Sequence, residues 1–186
     1  MLTKTRCSWC EKDDLYRDYH DHEWGNPVYD DATLFEFLVL ETFQAGLSWY
    51  TILSKRENFR SAFNQFDYTK IAHYQEDKIQ ELLQNAGIIR NQLKIRATVS
   101  NAITFMKVQE EFGSFSNYIW NFTGGKPIEN NPKTMKEVPA TTPLSDTISK
   151  DLKKRGFKFV GSTVVYAHMQ AIGMVNDHVQ DCWKRS

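Results

Sequence analysis

The chain reads as all-α. Apolar residues recur at helical spacing, stop signals close the periodic segments, and no alternating strand ladder or internal repeat appears. Asp31 to about Gln44 is apolar on nearly all sides through Leu34, Phe35, Phe37, Leu38, Val39 and Leu40, which predicts a buried helix. Ala45-Gly46 ends it, and Ser48 then serves as N-cap for a helix through Arg60. Glu76 to Asn85 is short and amphipathic, stopped near Gly87. Asn91 to Phe112 is long, with Leu93, Ile95, Ala97, Val99, Ala102, Ile103 and Met106, and Gly113 closes it. Phe115 to Phe122 is a short aromatic segment. Thr123 to Pro143 holds four of the five prolines and Gly124-Gly125, so it predicts a long surface loop. Leu144 to Arg155 is helical and basic toward its end, Gly156 to Gly161 is a turn, and Ser162 to Ile172 is a last apolar helix closed by Gly173.

Composition sets the outer bounds. A chain of 186 residues, 41% hydrophobic, supports one domain with a real core, assigned to residues 1–186. Lys and Arg together balance Asp and Glu, 23 against 23, so any nucleic-acid contact must come from local patches or backbone amides. Met1 to Arg6 holds no apolar core of a secretory signal, and no run approaches the roughly 18 apolar residues of a membrane span. Three cysteines without a signal point to a reducing compartment, the cytoplasm, where metal binding is favoured over a disulfide.

Metal-ligand residue types gather at both ends. Cys7, Cys10, His20 and His22 stand near the start, and His178 and Cys182 near the end. Thiolates and imidazoles are zinc ligands, and a structural site needs four in a tetrahedron. Two from each end would clip the termini together. His178 and Cys182, four apart, share a face if their segment is helical. Six candidates compete for four places, and a Cys7-x-x-Cys10 knuckle is one option. His73 and His168 fall in helical patterns and read as structural or surface residues.

The stretch 144–173 has the form of two helices around a tight turn. Gly156 and Gly161 permit close backbone approach. Free N–H groups at the start of the second helix, near Ser162, point into the turn and can hold an anion. Lys153, Lys154, Arg155 and Lys158 add positive charge. Together these would grip a phosphate without reading sequence. The plain alternative is a helical hairpin with a solvated basic face. This segment resembles the helix-hairpin-helix of DNA glycosylases related to endonuclease III. In the strand-cleaving members a lysine stands two residues after the second hairpin glycine. Thr163 holds that place here, which implies base excision without AP-lyase activity. Many relatives carry a catalytic Asp shortly after the second helix. Asp177 stands nearby, and its plain reading is an Asp at a helix start beside a metal-ligand histidine.

A second resemblance spans almost the whole chain. Cys7-Ser8-Trp9, Tyr19-His20-Asp21-His22-Glu23-Trp24-Gly25, the run Leu40 to Trp49, Gly87-Ile88-Ile89-Arg90, the hairpin Arg155 to Gly161 and Asn176-Asp177-His178 occur in order. Together they closely resemble the 3-methyladenine DNA glycosylase I family. The resemblance implies a helix-hairpin-helix glycosylase fold whose termini are joined by one structural zinc ion on Cys7, His20, His178 and Cys182. It implies a base pocket at Trp9, Tyr19, Trp24, Glu41 and Trp49, with Glu41 in the catalytic role. The substrate would be alkylated double-stranded DNA, the product free 3-methyladenine, and the protein a monomer with no membrane partner.

The residues carry part of this unaided. Leu34, Leu38 and Glu41 follow helical spacing, so Glu41 ends an apolar stripe of a buried helix. A bare buried carboxylate is unfavourable without a partner. Either Glu41 reaches solvent or an Arg, or a cationic ligand serves as partner. 3-Methyladenine in DNA carries a formal positive charge. Trp49, eight residues on, can share the pocket and attract a flat cation through its ring face. For each aromatic alone, core packing is the commoner role. Gln44-Ala45-Gly46-Leu47 sits beside the pocket, and Leu47 at its tip would wedge into the gap left by a flipped nucleotide. Lys154, Gly156, Lys158 and Gly161 would hold phosphates. Two other readings compete: a non-catalytic, zinc-stapled DNA-binding module, and a zinc hydrolase. The hydrolase needs an open coordination position, which four Cys/His ligands do not leave.

Overall fold

The computed structural model describes residues 4–185. Ten α-helices, four single-turn 3-10 helices and one pair of two-residue strands occur among them. Helix α1 (Asp14–His22) starts from Asp13, whose side chain accepts from the Tyr16 amide. Helix α2 (Asp31–Gln44) starts from Asp30 in the same way. Nine of its fourteen residues are buried, with four other helices, the third, seventh, eighth and tenth in chain order, packed against it. Ser48 caps α3 (Trp49–Leu53) by accepting from the Thr51 amide.

The continuous helix expected from Ser48 to Arg60 is broken. The chain turns at Ser54-Lys55 and restarts as α4 (Arg56–Ala62). The break re-aims Arg56, which is buried and donates to Glu23 at 2.7 Å and Glu36 at 2.5 Å. Helices α5 (Tyr68–Ile71) and α6 (Glu76–Gln84) follow, then the long α7 (Gln92–Phe112), capped by Asn91 and ended by left-handed Gly113. Helix α8 (Phe115–Asn121) brings Phe115 onto Phe105 of α7, with ring centroids 4.3 Å apart, and Phe105 meets Phe35 of α2 at 5.1 Å.

The proline-rich loop is less free than its composition predicts. Its β1 (Ile128–Glu129) pairs in parallel with β2 (Val175–Asn176) near the end of the chain. Two residues per strand are too few to show a period of two. Helix α9 (Pro143–Arg155) begins at Thr142, whose side chain and that of Ser145 cap each other's backbone. Helix α10 (Ser162–Ala171) packs on both α9 and α2.

Residues 177–182 are not helical, contrary to the spacing of His178 and Cys182. The backbone there bonds to other segments instead. Asn130 N donates to Asn176 O, and Gln180 N to Pro132 O at 3.0 Å. Gly173, at φ +67°, lets the chain leave α10 against Asn26-Pro27, where a Cβ would stand 2.2 Å from the Asn26 carbonyl carbon. Trp183 N then donates to Thr5 O at 3.0 Å, so the two end segments meet.

Candidate functional site: an aromatic cavity beside a Cys/His cluster

Cys7, His20, His178 and Cys182 come together, all buried, with their ligand atoms within 4.8 Å of one another. Cys7 Sγ lies 3.6 Å from His178 Nδ1. Cys182 Sγ lies 3.4 Å from His20 Nε2 and 3.5 Å from His178 Nδ1. A tetrahedron built on bonds of about 2.3 Å to sulfur and about 2.05 Å to nitrogen has S···N edges of about 3.5 Å. The donors therefore fit a metal of that size and geometry.

Their orientation is fixed from behind. The Trp24 carbonyl only accepts, so His178 Nε2 donates to it at 3.1 Å, leaving the Nδ1 lone pair facing the thiols. His20 Nδ1 donates to Asp21 Oδ1 at 2.8 Å, leaving the Nε2 lone pair on the side of the thiols, where the Cys7 amide also approaches it at 3.4 Å. Arg6 holds Asp21 with a pair of hydrogen bonds at 2.9 and 2.8 Å. Burial raises the Asp21 carboxyl, but donation from Arg6, His20 and Trp183 outweighs it and holds the group well below the usual range. Burial pushes His178 down to about 4 and lowers His20, so both rings are neutral, as ligation requires. Burial, with Cys182 adjacent, pushes the Cys7 thiol up to about 12, and a divalent cation at the centre would reverse that.

The competing ligands stand apart from this cluster. Cys10 Sγ donates to the Cys7 carbonyl at 3.1 Å, and exposed His22 pairs with Asp18. His73, also exposed, bonds the Thr69 carbonyl. His168 is buried against the Leu34 carbonyl.

Trp9 and Trp24 form a shared wall. Their rings meet edge to face at 5.0 Å, and Trp24 also contacts His178 at 4.7 Å. On the other side lies a cavity of about 280 Å³. Trp9, Tyr19, Trp24, Glu41 and Trp49 all line it, as do Tyr16, Gln44, Met135, Ala167 and Gln170. Tyr19 and Trp49 are 5.3 Å apart, and Trp9 and Tyr16 are 4.8 Å apart. The volume is at the small end for ligand sites, which suits one heteroaromatic ring system.

Two polar groups in this wall lack protein partners among the described residues. The Trp49 Nε1–H is fully buried and unpaired. Glu41 is 3% exposed, and no Arg or Lys meets its carboxyl. Burial alone pushes Glu41 up to about 8, so near neutral pH the empty cavity holds mostly the carboxylic acid.

The turn after α2 is built to project. Gly46, at φ +80°, has open space around it, and Leu47 is 39% exposed at the tip. Gln44 Nε2 donates to the Leu47 carbonyl at 3.0 Å. Buried Lys94 of α7 donates to the Phe43 and Ala45 carbonyls at 2.9 and 2.7 Å, closing the C-terminus of α2.

At the α9–α10 turn, Asn101 donates to the Lys158 carbonyl at 3.0 Å and accepts from its amide at 2.8 Å. Phe159 sits at φ +57°, an unfavourable setting for an aromatic residue. Gly161 precedes α10, and no side chain caps that helix. Lys153, Lys154, Gly156, Lys158 and Thr163 are exposed. Arg155 departs from the expected basic face. It pairs with Asp151 at 2.8 Å and Glu111 at 2.7 Å, so its charge is already neutralised. Asp177 heads no helix; it is buried and accepts from Asn130, Tyr166 and Gln170.

A family model described as methyladenine glycosylase matches residues 9–185. DNA-3-methyladenine glycosylase 1 of Escherichia coli (strain K12) is 49% identical over 177 residues, covering 95% of each chain. A solved 3-methyladenine DNA glycosylase I matches with a TM-score of 0.94 at 49% identity, over 96% of this chain and 98% of that one. The 3-methyladenine DNA glycosylase I of Staphylococcus aureus, solved to explain 3-methyladenine recognition, matches with a TM-score of 0.94 at 36% identity, over 97% of this chain and 96% of that one. The chain belongs to the methyladenine glycosylase family.

Proposed function

We propose that this protein is a monofunctional DNA glycosylase that hydrolyses the N-glycosidic bond of 3-methyladenine in alkylated duplex DNA. The observation that carries this is Glu41: a buried carboxyl with no ion-pair partner among the described residues, in the wall of an aromatic cavity sized for one base. A cationic purine supplies the missing partner. Glu41 sheds its proton as the cation enters, and Trp9, Tyr19, Trp24 and Trp49 pack against the ring.

The damaged nucleotide leaves the stack, which costs a few kcal/mol, and Leu47 fills the gap. Lys154, Lys158 and the amides near Gly156 and Gly161 hold the phosphates. The bond between the sugar C1′ and the base N9 breaks, and its electron pair neutralises the base. The positive charge moves to the sugar, where the Glu41 carboxylate still compensates it. Water adds at C1′ and gives its proton to solvent. Methylation has already made the base a good leaving group, so no strong general acid is required. Thr163 offers no amine for a Schiff base, and AP-lyase activity is absent.

Cys7, His20, His178 and Cys182 would hold one structural zinc ion. Four protein ligands leave no open position for a reacting water. No described helix is long and apolar enough to cross a membrane. The protein works as one domain, a cytoplasmic monomer that releases free 3-methyladenine.

Incubating the protein with methylated duplex DNA and separating the freed bases tests this reading. Free 3-methyladenine with little 7-methylguanine is the expected result. Zinc-loaded, folded protein that binds the DNA and releases no base would leave a DNA-binding module in its place. Borohydride trapping should give no protein–DNA adduct.

A further inference from the structure

Gln170 lines the cavity from α10, and one hydrogen bond fixes its side-chain amide. Its Nε2 donates to Asp177 Oδ2 at 2.8 Å. A carboxylate only accepts, so the amide cannot flip, and Oε1 must point away from Asp177. Asp177 is itself locked: Tyr166 donates to the same oxygen at 2.7 Å, and Asn130 donates to the other at 2.7 Å. It is 1% exposed, and three donors fix its orientation. Gln170 Oε1 has no protein partner among the described residues. It is also not one of the fully buried orphan atoms there, which are Thr42 Oγ1 and Trp49 Nε1. It is therefore an open acceptor on a residue that lines the cavity.

This acceptor differs in kind from Glu41. A carboxyl can present either an O–H or a bare oxygen, so Glu41 can meet a donor or an acceptor. The locked amide can only accept. Adenine carries an exocyclic amine, a donor, where guanine carries a carbonyl oxygen, an acceptor. An acceptor facing an acceptor leaves both unpaired in a desolvated site, which is strongly discriminating.

We propose that Gln170, held in one orientation by Asp177, selects 6-amino purines over 6-oxo purines in this cavity. Gln170 touches the base; Asp177 is a positioning residue. This deepens the glycosylase reading and rests on it for the identity of the pocket.

The test compares 3-methyladenine with 3-methylguanine, both as release from methylated duplex DNA and as free bases binding the protein. Binding is read from quenching of tryptophan fluorescence, since Trp9, Trp24 and Trp49 line the site. Gln170→Leu should cut the ratio of kcat/KM values for the two bases about tenfold, the loss of one net hydrogen bond. The ratio of free-base affinities should fall by a similar factor. Asp177→Asn lets the Gln170 amide turn over, so it should lower both ratios by a smaller factor while kcat for 3-methyladenine changes less than its KM. Melting temperature and zinc content should stay near those of the parent for Gln170→Leu, whereas Asp177→Asn sets an amide donor against Asn130, Tyr166 and Gln170 and should lower the melting temperature while zinc content holds. Ratios unchanged within twofold, or equal losses on both bases, would overturn the selection role. If the parent releases no base, the glycosylase reading fails, and the free-base affinity ratio still decides the selection role.

Discussion

Two sets of buried polar atoms share the tryptophan wall of Trp9 and Trp24, and the chain treats them oppositely. Behind the wall, two thiols and two imidazoles face one another at 3.4 to 3.6 Å, and each imidazole is braced by an acceptor. That group closes around a metal-sized centre. In front of the wall, Glu41 and Trp49 line a cavity; among the described residues the Glu41 carboxyl meets no cationic partner, and the buried Trp49 Nε1 has no hydrogen-bond partner. A scaffold site satisfies its polar groups within the protein. A recognition site leaves them unsatisfied at a cost in stability and waits for the ligand.

The largest effect should come from breaking the closed set. Structural zinc contributes on the order of 10 kcal/mol to folding in small zinc domains. Chelation, or Cys182→Ser, should lower the melting temperature by roughly 10 °C or more. Atomic absorption should find one zinc per chain. Protein isolated without metal, whose melting curve ignores chelator, would remove the scaffold role.

Breaking the open set should do the reverse to stability and far more to activity. Glu41→Gln should reduce release of 3-methyladenine by roughly 100-fold while the protein remains folded. The Glu41 carboxyl titrates at about 8 in the folded protein, above its ordinary 4.5. Between those values the native state holds a proton that the unfolded chain releases, so stability falls as pH rises from about 4.5 to 8. The fall amounts to at most about 5 kcal/mol. Glu41→Gln should abolish it, so the variant gains on the parent from pH 5 to pH 8. Parallel melting curves across that range would contradict the burial of an unpaired acid.

The cation itself sharpens the contrast. Binding a permanently cationic purine at pH 7 should release up to one proton from Glu41, read by calorimetry in buffers of different ionisation heat. The Gln variant should release none.

Smaller effects belong to the periphery. Lys94→Met should uncap α2 and loosen the projecting turn, weakening duplex binding severalfold while free-base affinity holds. Lys158→Gln should reduce the slope of log affinity against log salt by about 1. Arg155→Gln should leave that slope unchanged, because Glu111 and Asp151 already neutralise Arg155.

What the sequence disclosed follows from signal length. Helices α2, α6, α7, α9 and α10 each carry two or more turns of periodic pattern and end near their expected residues. Ser48 was readable as a cap because its chemistry is local. The break at Lys55 was not, since it depends on Arg56 meeting Glu23 and Glu36 from distant parts of the chain. The same holds for the cavity wall. Its aromatic members lie in distinctive motifs near the start of the chain, whereas Met135 comes from a proline-rich loop with no pattern. Gln170 occupies a helix face whose neighbours are known only once Asp177 folds back. Tyr16 had a usable signal, one helical turn before Tyr19 and His20. The four apart spacing of His178 and Cys182 pointed to a helix, yet a bend brings the same atoms together.

The closed cluster also carries a timetable. Cys7 and His178 are 171 residues apart. At about 5–20 residues per second, the ribosome makes the first ligand roughly ten to thirty seconds before the third. An ion cannot be enclosed until the cavity helices, the loop and the hairpin have all emerged. Until His178 and Cys182 are made, Cys7 and His20 supply only half of the donor set, so this cluster is the last part of the molecule to close.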